Sequence, residues 1–377
     1  MDLVELGWSA EWQRVLDATP HEDLTVARVA IQHRGAYGLF TPAGEMDATI
    51  SGRVRHAAAS AAGLPAVGDW VLVRDGIIHA VLPRRTVFSR QAAGDRADEQ
   101  VVAANVDTIF VVMGLDPDYN LRRLERYLTF AWESGAEPVI VLTKTDLAPD
   151  AAGRVGEVER SAPGVPVHAV NGLTGAGLDA VDARLIGHRT YAFLGSSGVG
   201  KTTLINRLAG LALAIGGLRK DGRGRHTTTW RELLVLPGRA VILDTPGMRE
   251  LQVWQATAGL DDAFADIAAL ACTCRFSDCR HSGEPGCAVA AAIAAGALDP
   301  ARLLGLRKLE REAAQARLRQ DARAAAEARR AVRAAARRRT SGIPDPPEPG
   351  APDEPARPEG PEEPEPRDRP AEPAEPI

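Results

Sequence analysis

Gly195-Ser196-Ser197-Gly198-Val199-Gly200-Lys201-Thr202 fits the pattern G-x-x-x-x-G-K-[ST] at every fixed position. At average residue usage, such a match arises in about one chain in a hundred of this length. The context is what the pattern's chemistry requires. Thr190-Tyr191-Ala192-Phe193-Leu194 before it has the length and apolarity of a buried strand, and Thr203-Leu204-Ile205-Asn206-Arg207-Leu208 after it opens a helix. Glycines at such a turn let the backbone wrap phosphate oxygens, while N–H groups and the helix dipole face the negative charge. Lys201 is expected to bridge the β- and γ-phosphates as a catalytic stabiliser of charge, and Thr202 to hold Mg²⁺. Gly195, Ser196, Ser197, Gly198, Val199, Gly200 and Thr203 complete the expected cradle.

Working outward, apolar strands alternate with helices. Val106 to Met113, Pro138 to Leu142 and Val165 to Val170 read as buried strands, and Leu121, Leu124, Tyr127 and Leu128 share one helical face. This alternation predicts an α/β fold with a parallel sheet covered on both faces. Glu232 to Leu236 and Ala240 to Leu243, joined by Pro237-Gly238-Arg239, read as a hairpin at the sheet edge. Asp244-Thr245-Pro246-Gly247 closes its second strand. There Asp244 can reach Mg²⁺ through water, and the Gly247 amide can meet a γ-phosphate.

Thr143-Lys144-Thr145-Asp146, at another strand end, resembles the guanine-reading N-K-x-D pattern, with Thr143 in place of Asn. An aspartate carboxylate accepts from both N1–H and the 2-amino group of guanine, and adenine offers neither donor. Lys144 would lay its stem over the base. Asn171-Gly172 sits where a backbone N–H could meet guanine O6. The base-reading residues precede the phosphate loop, the reverse of the usual order. A doubly wound sheet tolerates this circular permutation because its site depends on spatial order, not chain order.

The first hundred residues read as short alternating strands between turns, such as Thr25 to Ala30 and Trp70 to Val73, and suit an OB-like β-barrel able to bind RNA. The N-terminus has no basic and apolar leader pattern, and no apolar run approaches ~20 residues; we expect a soluble, cytoplasmic protein without membrane partners. All four cysteines fall between Cys272 and Cys287, a clustering that suggests a metal site rather than disulfides. Residues 301 to 340 carry thirteen Lys/Arg against four Asp/Glu, a net +9, on an Ala-rich helical pattern. Residues 341 to 377 carry eleven Asp/Glu, three Arg and thirteen prolines, a net −8 with little to bury, and read as a disordered tail.

Together with Gly68-Asp69-Trp70-Val71, Ala104-Asn105-Val106-Asp107 and Gly224-Arg225-His226-Thr227-Thr228-Thr229, these motifs closely resemble the ribosome small-subunit-dependent GTPase A family (RsgA, YjeQ or EngC) over roughly residues 25 to 310. The resemblance implies three parts, an OB-like barrel at 1–100, a circularly permuted P-loop GTPase domain at 101–255 and a zinc-binding helical domain at 256–340; the basic helical extension and the tail at 341–377 exceed the family pattern. The resemblance also implies binding of GTP/GDP and hydrolysis during late maturation of the small (30S) ribosomal subunit, in contact with its rRNA; we further expect a monomer with no DNA partner. His226 to Thr229 look like the family's switch segment: Thr229, with Thr228 next, would meet the magnesium, and His226 is the candidate to orient water. Cys274, Cys279, His281 and Cys287 match the family's zinc pattern, one closed structural Zn²⁺ site, leaving Cys272 as a spare buried thiol.

Two other readings stand beside this one. One is a P-loop GTPase serving another RNA process, on tRNA or the large subunit; the other is a non-enzymatic RNA-binding zinc protein.

Overall fold

The computed structural model describes residues 1–33, 35–58, 61–91, 99–210, 232–244 and 258–340. His226, Thr228, Thr229, Gly247 and the acidic tail lie outside these residues. The chain divides into two compact units, Met1–Asp321 and Ala322–Ile377. All that follows concerns the first, apart from the end of the last helix.

A five-stranded barrel comes first. Strands β1 (Thr25–Gln32), β2 (Tyr37–Thr41), β3 (Gly44–Ile50), β4 (Trp70–Arg74) and β5 (Ile77–Val81) pair in the order β1-β2-β3-β5-β4, and β4 returns to β1 to close the ring. The β3–β5 pairing is parallel and the others antiparallel. Closure removes sheet edges. Ala27, Val29, Leu39, Val71, Val73 and Ile78 form one buried cluster of this barrel. The β-only reading of these hundred residues missed helix α1 (Ala10–Asp17), capped by Ser9, and α2 (Gly52–Ala57), capped by Ser51. Strands β6 (Val87–Gln91) and β7 (Glu99–Ala104) form a separate ribbon beyond the barrel.

The second layer is the expected parallel sheet. Strands β8 (Thr108–Gly114), β9 (Glu137–Thr143), β10 (Val167–Ala169), β11 (Thr190–Leu194) and β13 (Ala240–Asp244) run parallel in the order β10-β9-β8-β11-β13. β12 (Glu232–Leu236) adds antiparallel to β13. Every residue of β8 is buried, as a strand covered on both faces demands. Helix α3 (Leu121–Glu133) packs beside β8 and β9 with Leu124, Tyr127, Leu128 and Ala131 inward. Helices α4 (Ala151–Ser161), α5 (Leu178–Asp182) and α6 (Lys201–Leu208) complete this layer. Contrary to the sequence reading, β12 is not a free edge: Ile31 of β1 pairs with Glu232, so sheet and barrel are continuous.

Arg28 fastens the same junction. Its guanidinium is 1% exposed and donates to Gly68 O at 3.4 Å, Asn105 O at 3.3 Å, Thr190 Oγ1 at 2.7 Å and Leu6 O. It also lies 5.0 Å over the Trp70 ring. Burial pulls its pKa down to about 10 against the charges of Asp107 and Asp69, which leaves it protonated at neutral pH. One buried cation thus joins the N-terminal segment, the barrel, the connector and strand β11.

The C-terminal part is helical: α7 (Ala258–Ala263), α8 (Ala265–Ala271), α9 (Ala288–Ala294) and α10 (Pro300–Thr340). Phe264, Ile267, Val289, Leu298, Leu303 and Leu309 supply a small core. It docks on α3 at close range. A β-carbon on Gly259 would stand 2.4 Å from Thr129 O, and Gly259 N donates to Glu133 Oε2 at 3.0 Å. Arg302 lies between Asp266, at 2.6 Å, and the buried Glu125, at 3.1 Å. No helix among the described residues is long and apolar enough to cross a membrane.

Candidate nucleotide and metal sites

Among the described residues, those predicted for the nucleotide gather beyond the carboxyl ends of the parallel strands, where ligands of open α/β sheets bind. β11 runs directly into the glycine-rich loop, and α6 begins at Lys201 with Gly200 as its N-cap at φ 96°. Positive φ at Gly198 and Gly200 turns the chain where a side chain would strain it. A β-carbon on Gly195 would stand 2.2 Å from Val112 O, so only glycine lets the loop leave β11 this close to β8. Lys201 Nζ donates to Gly195 O and Ser196 O, each at 2.6 Å, which holds the ammonium on the loop.

The base-reading residues come from β9. Thr143 Oγ1 donates to Val199 O at 2.5 Å, tying the end of β9 to the phosphate loop. The shorter side chain at this position therefore reaches the loop. Lys144 adopts a left-handed backbone, φ 58° and ψ 41°, which reverses the chain into the turn Thr145–Leu147 carrying Asp146. Asn171 Nδ2 donates to Asp146 Oδ1 at 3.0 Å, while Asn171 Oδ1 accepts from Leu173 N at 2.8 Å and Thr174 N at 3.0 Å. One amide thus orders the 171–174 loop and aims the carboxylate. Gly172 lies against α6: a β-carbon there would be 3.4 Å from Thr203 Cγ2. Asp244 ends β13, in register with Glu232.

Sequence reasoning passed over Asp116, in the loop between β8 and α3. Its Oδ2 accepts from Lys144 Nζ at 2.5 Å. The lysine's hydrogen bond holds the Asp116 carboxyl below the usual carboxylate range, in spite of partial burial. The preceding Gly114 and following Pro117 were the available signal of a tight turn.

The cysteine cluster lies between α8 and α9. The donor atoms of Cys274, Cys279, His281 and Cys287 all lie within 4.8 Å of one another. His281 Nδ1 is 3.6 Å from Cys274 Sγ and 3.5 Å from Cys287 Sγ. Tetrahedral zinc with Zn–S near ~2.3 Å sets its donors roughly 3.5–3.8 Å apart, so three sulfurs and one imidazole fit that ion. The loop is braced besides. Arg307 Nη2 donates to Arg280 O and His281 O at 2.9 Å each, and Cys287 Sγ accepts from Ala290 N at 3.3 Å at the start of α9. Cys272 stands outside the cluster and is exposed, not buried as expected; it caps the C-terminal end of α8.

A family model described as RsgA GTPase matches residues 81–254. The small ribosomal subunit biogenesis GTPase RsgA of Opitutus terrae is 48% identical over 338 residues, which cover 85% of this chain and 92% of that protein. The small ribosomal subunit biogenesis GTPase RsgA 2 of Lactiplantibacillus plantarum is 47% identical over 319 residues, 83% of this chain and 89% of that one. Among solved structures, YjeQ from Thermotoga maritima superposes with a TM-score of 0.59 at 25% identity, over 77% of this chain and 98% of that chain. YloQ, a circularly permuted GTPase, shares the fold with a TM-score of 0.55 at 22% identity, over 78% of this chain and 97% of that chain. The permuted strand order, the phosphate loop and these relatives agree: this chain belongs to the RsgA GTPase family, enzymes that hydrolyse GTP.

Proposed function

We propose that this protein binds the small ribosomal subunit in the cytoplasm and hydrolyses GTP to GDP and phosphate during late 30S maturation. The carrying observation is the Asp146–Asn171 pair set beside the phosphate loop, in a chain whose relatives are named small ribosomal subunit biogenesis GTPases. Asp146 selects guanine by accepting its two donors, and the Gly172 amide meets O6. Lys201 and the amides of residues 195–203 stabilise charge on the phosphates as water attacks the γ-phosphate in line. Thr202 and Thr229, with Asp244 through water, would hold magnesium, which would supply neutralisation of charge on the transferring phosphoryl group. His226 orients the water, the Gly247 amide meets the γ-phosphate, and Thr228 is the second candidate for the switch threonine on the metal.

The barrel (1–100) and the helical part (256–340) flank the GTPase region (101–255) as RNA-facing modules. One structural zinc ion on Cys274, Cys279, His281 and Cys287 staples the second, whose apolar core is small. The protein acts as a monomer, without DNA. GTP turnover tests this with purified subunits: it should rise with small subunits and not with large ones. Equal stimulation by large subunits, or by neither, would refute the assignment.

A further inference from the structure

We propose that Asp116 is the positioning residue of the base-reading lysine, holding Lys144 in place to cover the purine before nucleotide arrives. This rests on the assignment of Lys144 and Asp146 to guanine. The Asp116 side chain is fixed from two sides. Tyr119 N donates to Asp116 O at 2.9 Å and Asp118 N to Asp116 Oδ1 at 3.1 Å, closing a turn in which Pro117 presets the backbone. Leu115 N donates to Thr143 O at 2.9 Å, so the loop is pinned to the strand end that carries Lys144. One carboxylate oxygen thus serves its own turn, and the other receives Lys144 Nζ at 2.5 Å. The neighbouring Gly114 makes room: a β-carbon there would stand 2.7 Å from Asp116 Oδ1.

Lys144 needs such a partner. Its backbone is left-handed, a conformation its β-carbon disfavours, and its four-carbon stem has many rotamers. A stem that must find its place when GTP binds loses freedom at that moment, whereas one already held does not. Because the pair is partly solvent-exposed, with 29% and 15% of the two side chains accessible, its effect is moderate.

The test uses the full chain and measures GDP affinity by calorimetry for wild type, Asp116→Asn, Lys144→Ala and the double variant. Asparagine keeps an acceptor for Asp118 N and drops the charge. We expect Asp116→Asn to weaken GDP about fivefold at 0.1 M salt. KM for GTP should rise by a similar factor, while kcat at saturation stays within about twofold, since the lost contact is formed in ground and transition state alike. The deficit should shrink at 1 M salt, where the wild-type pair is screened. In the Lys144→Ala background, Asp116→Asn should add nothing. Wild-type affinity in Asp116→Asn, or the same loss on top of Lys144→Ala, overturns the proposal. Wild-type affinity in Lys144→Ala overturns instead the guanine assignment beneath it. An unfolding midpoint that falls in Asp116→Asn, with no salt dependence of binding, marks the aspartate as a turn residue only and also overturns the proposal.

Discussion

In the function proposed above, the protein meets charge at the phosphate loop with backbone amides and one lysine at the open ends of its strands. Where α3 meets the C-terminal helices, it buries charge for good. Arg302 is 3% exposed and Glu125 1% exposed, and Asp266 takes two further guanidinium bonds at 2.6 and 2.7 Å. Glycine geometry makes the first region: Gly198 and Gly200 turn the chain at positive φ, and Gly195 passes close to the Val112 carbonyl. The second is costly to assemble, since each ion leaves water, and costlier to break, since a lost partner strands the others. One region is therefore suited to exchange of a ligand, the other to fixing the C-terminal helices on the GTPase sheet.

Variants should separate the two. Arg302→Met should lose about 3–5 kcal/mol in urea unfolding, with GDP affinity unchanged. The loss should depend on pH in a defined direction. Burial pushes the Glu125 carboxyl up, against the pull of Arg122 and Arg302. An acid with a raised folded pKa holds its proton more tightly folded than unfolded, so its contribution to stability falls as pH climbs from the ordinary carboxylate value through the raised one. Without Arg302 the carboxyl rises further, so the variant's deficit should be largest near neutral pH and narrow on acidification. A deficit flat in pH would mean that Glu125 is not the stranded charge.

Gly195→Ala should do the reverse. Its β-carbon would meet the Val112 carbonyl, a backbone atom that cannot swing away, and such overpacking costs about 1–3 kcal/mol. The displaced loop should bind GDP about 5- to 150-fold more weakly, from the same range of energies. Undiminished binding would show that the loop need not approach β8. At the small end, Arg154 pairs with Glu157 at 2.9 Å on an exposed helix face. Arg154→Ala should move neither the unfolding midpoint nor GTP turnover, and a shift in either would give surface pairs a weight this account denies them.

The same contrast explains what could be read from the chain. Residues 195 to 202 carry their meaning within eight positions, and Cys274 to Cys287 within fourteen, so local spacing exposes both. The strands of the GTPase sheet are apolar runs visible by composition, although β8 begins at Thr108 rather than Val106. Glu125 and Arg302 are 177 residues apart, and Arg28 and Thr190 162, and no local pattern links them. Asp116 was hidden for a related reason: its partner Lys144 lies 28 positions on, across a helix and a strand. Helix α1 escaped because it is one short stretch amid strand-like sequence, though Ser9 at its N-cap was a usable sign. The pairing of β1 with β12 joins Ile31 and Glu232, 201 positions apart, which periodicity does not reach.

The central claim is that the carboxylate of Asp146 chooses the base that the phosphate loop holds. Calorimetric titration of wild type and Asp146→Asn with GDP, ADP and xanthosine diphosphate tests it most directly. We expect wild type to take GDP and reject ADP, and the variant to shift towards xanthosine, whose 2-carbonyl an asparagine amide can meet. ADP bound as firmly as GDP by the wild-type protein, or a variant with unchanged preference for GDP, would contradict it.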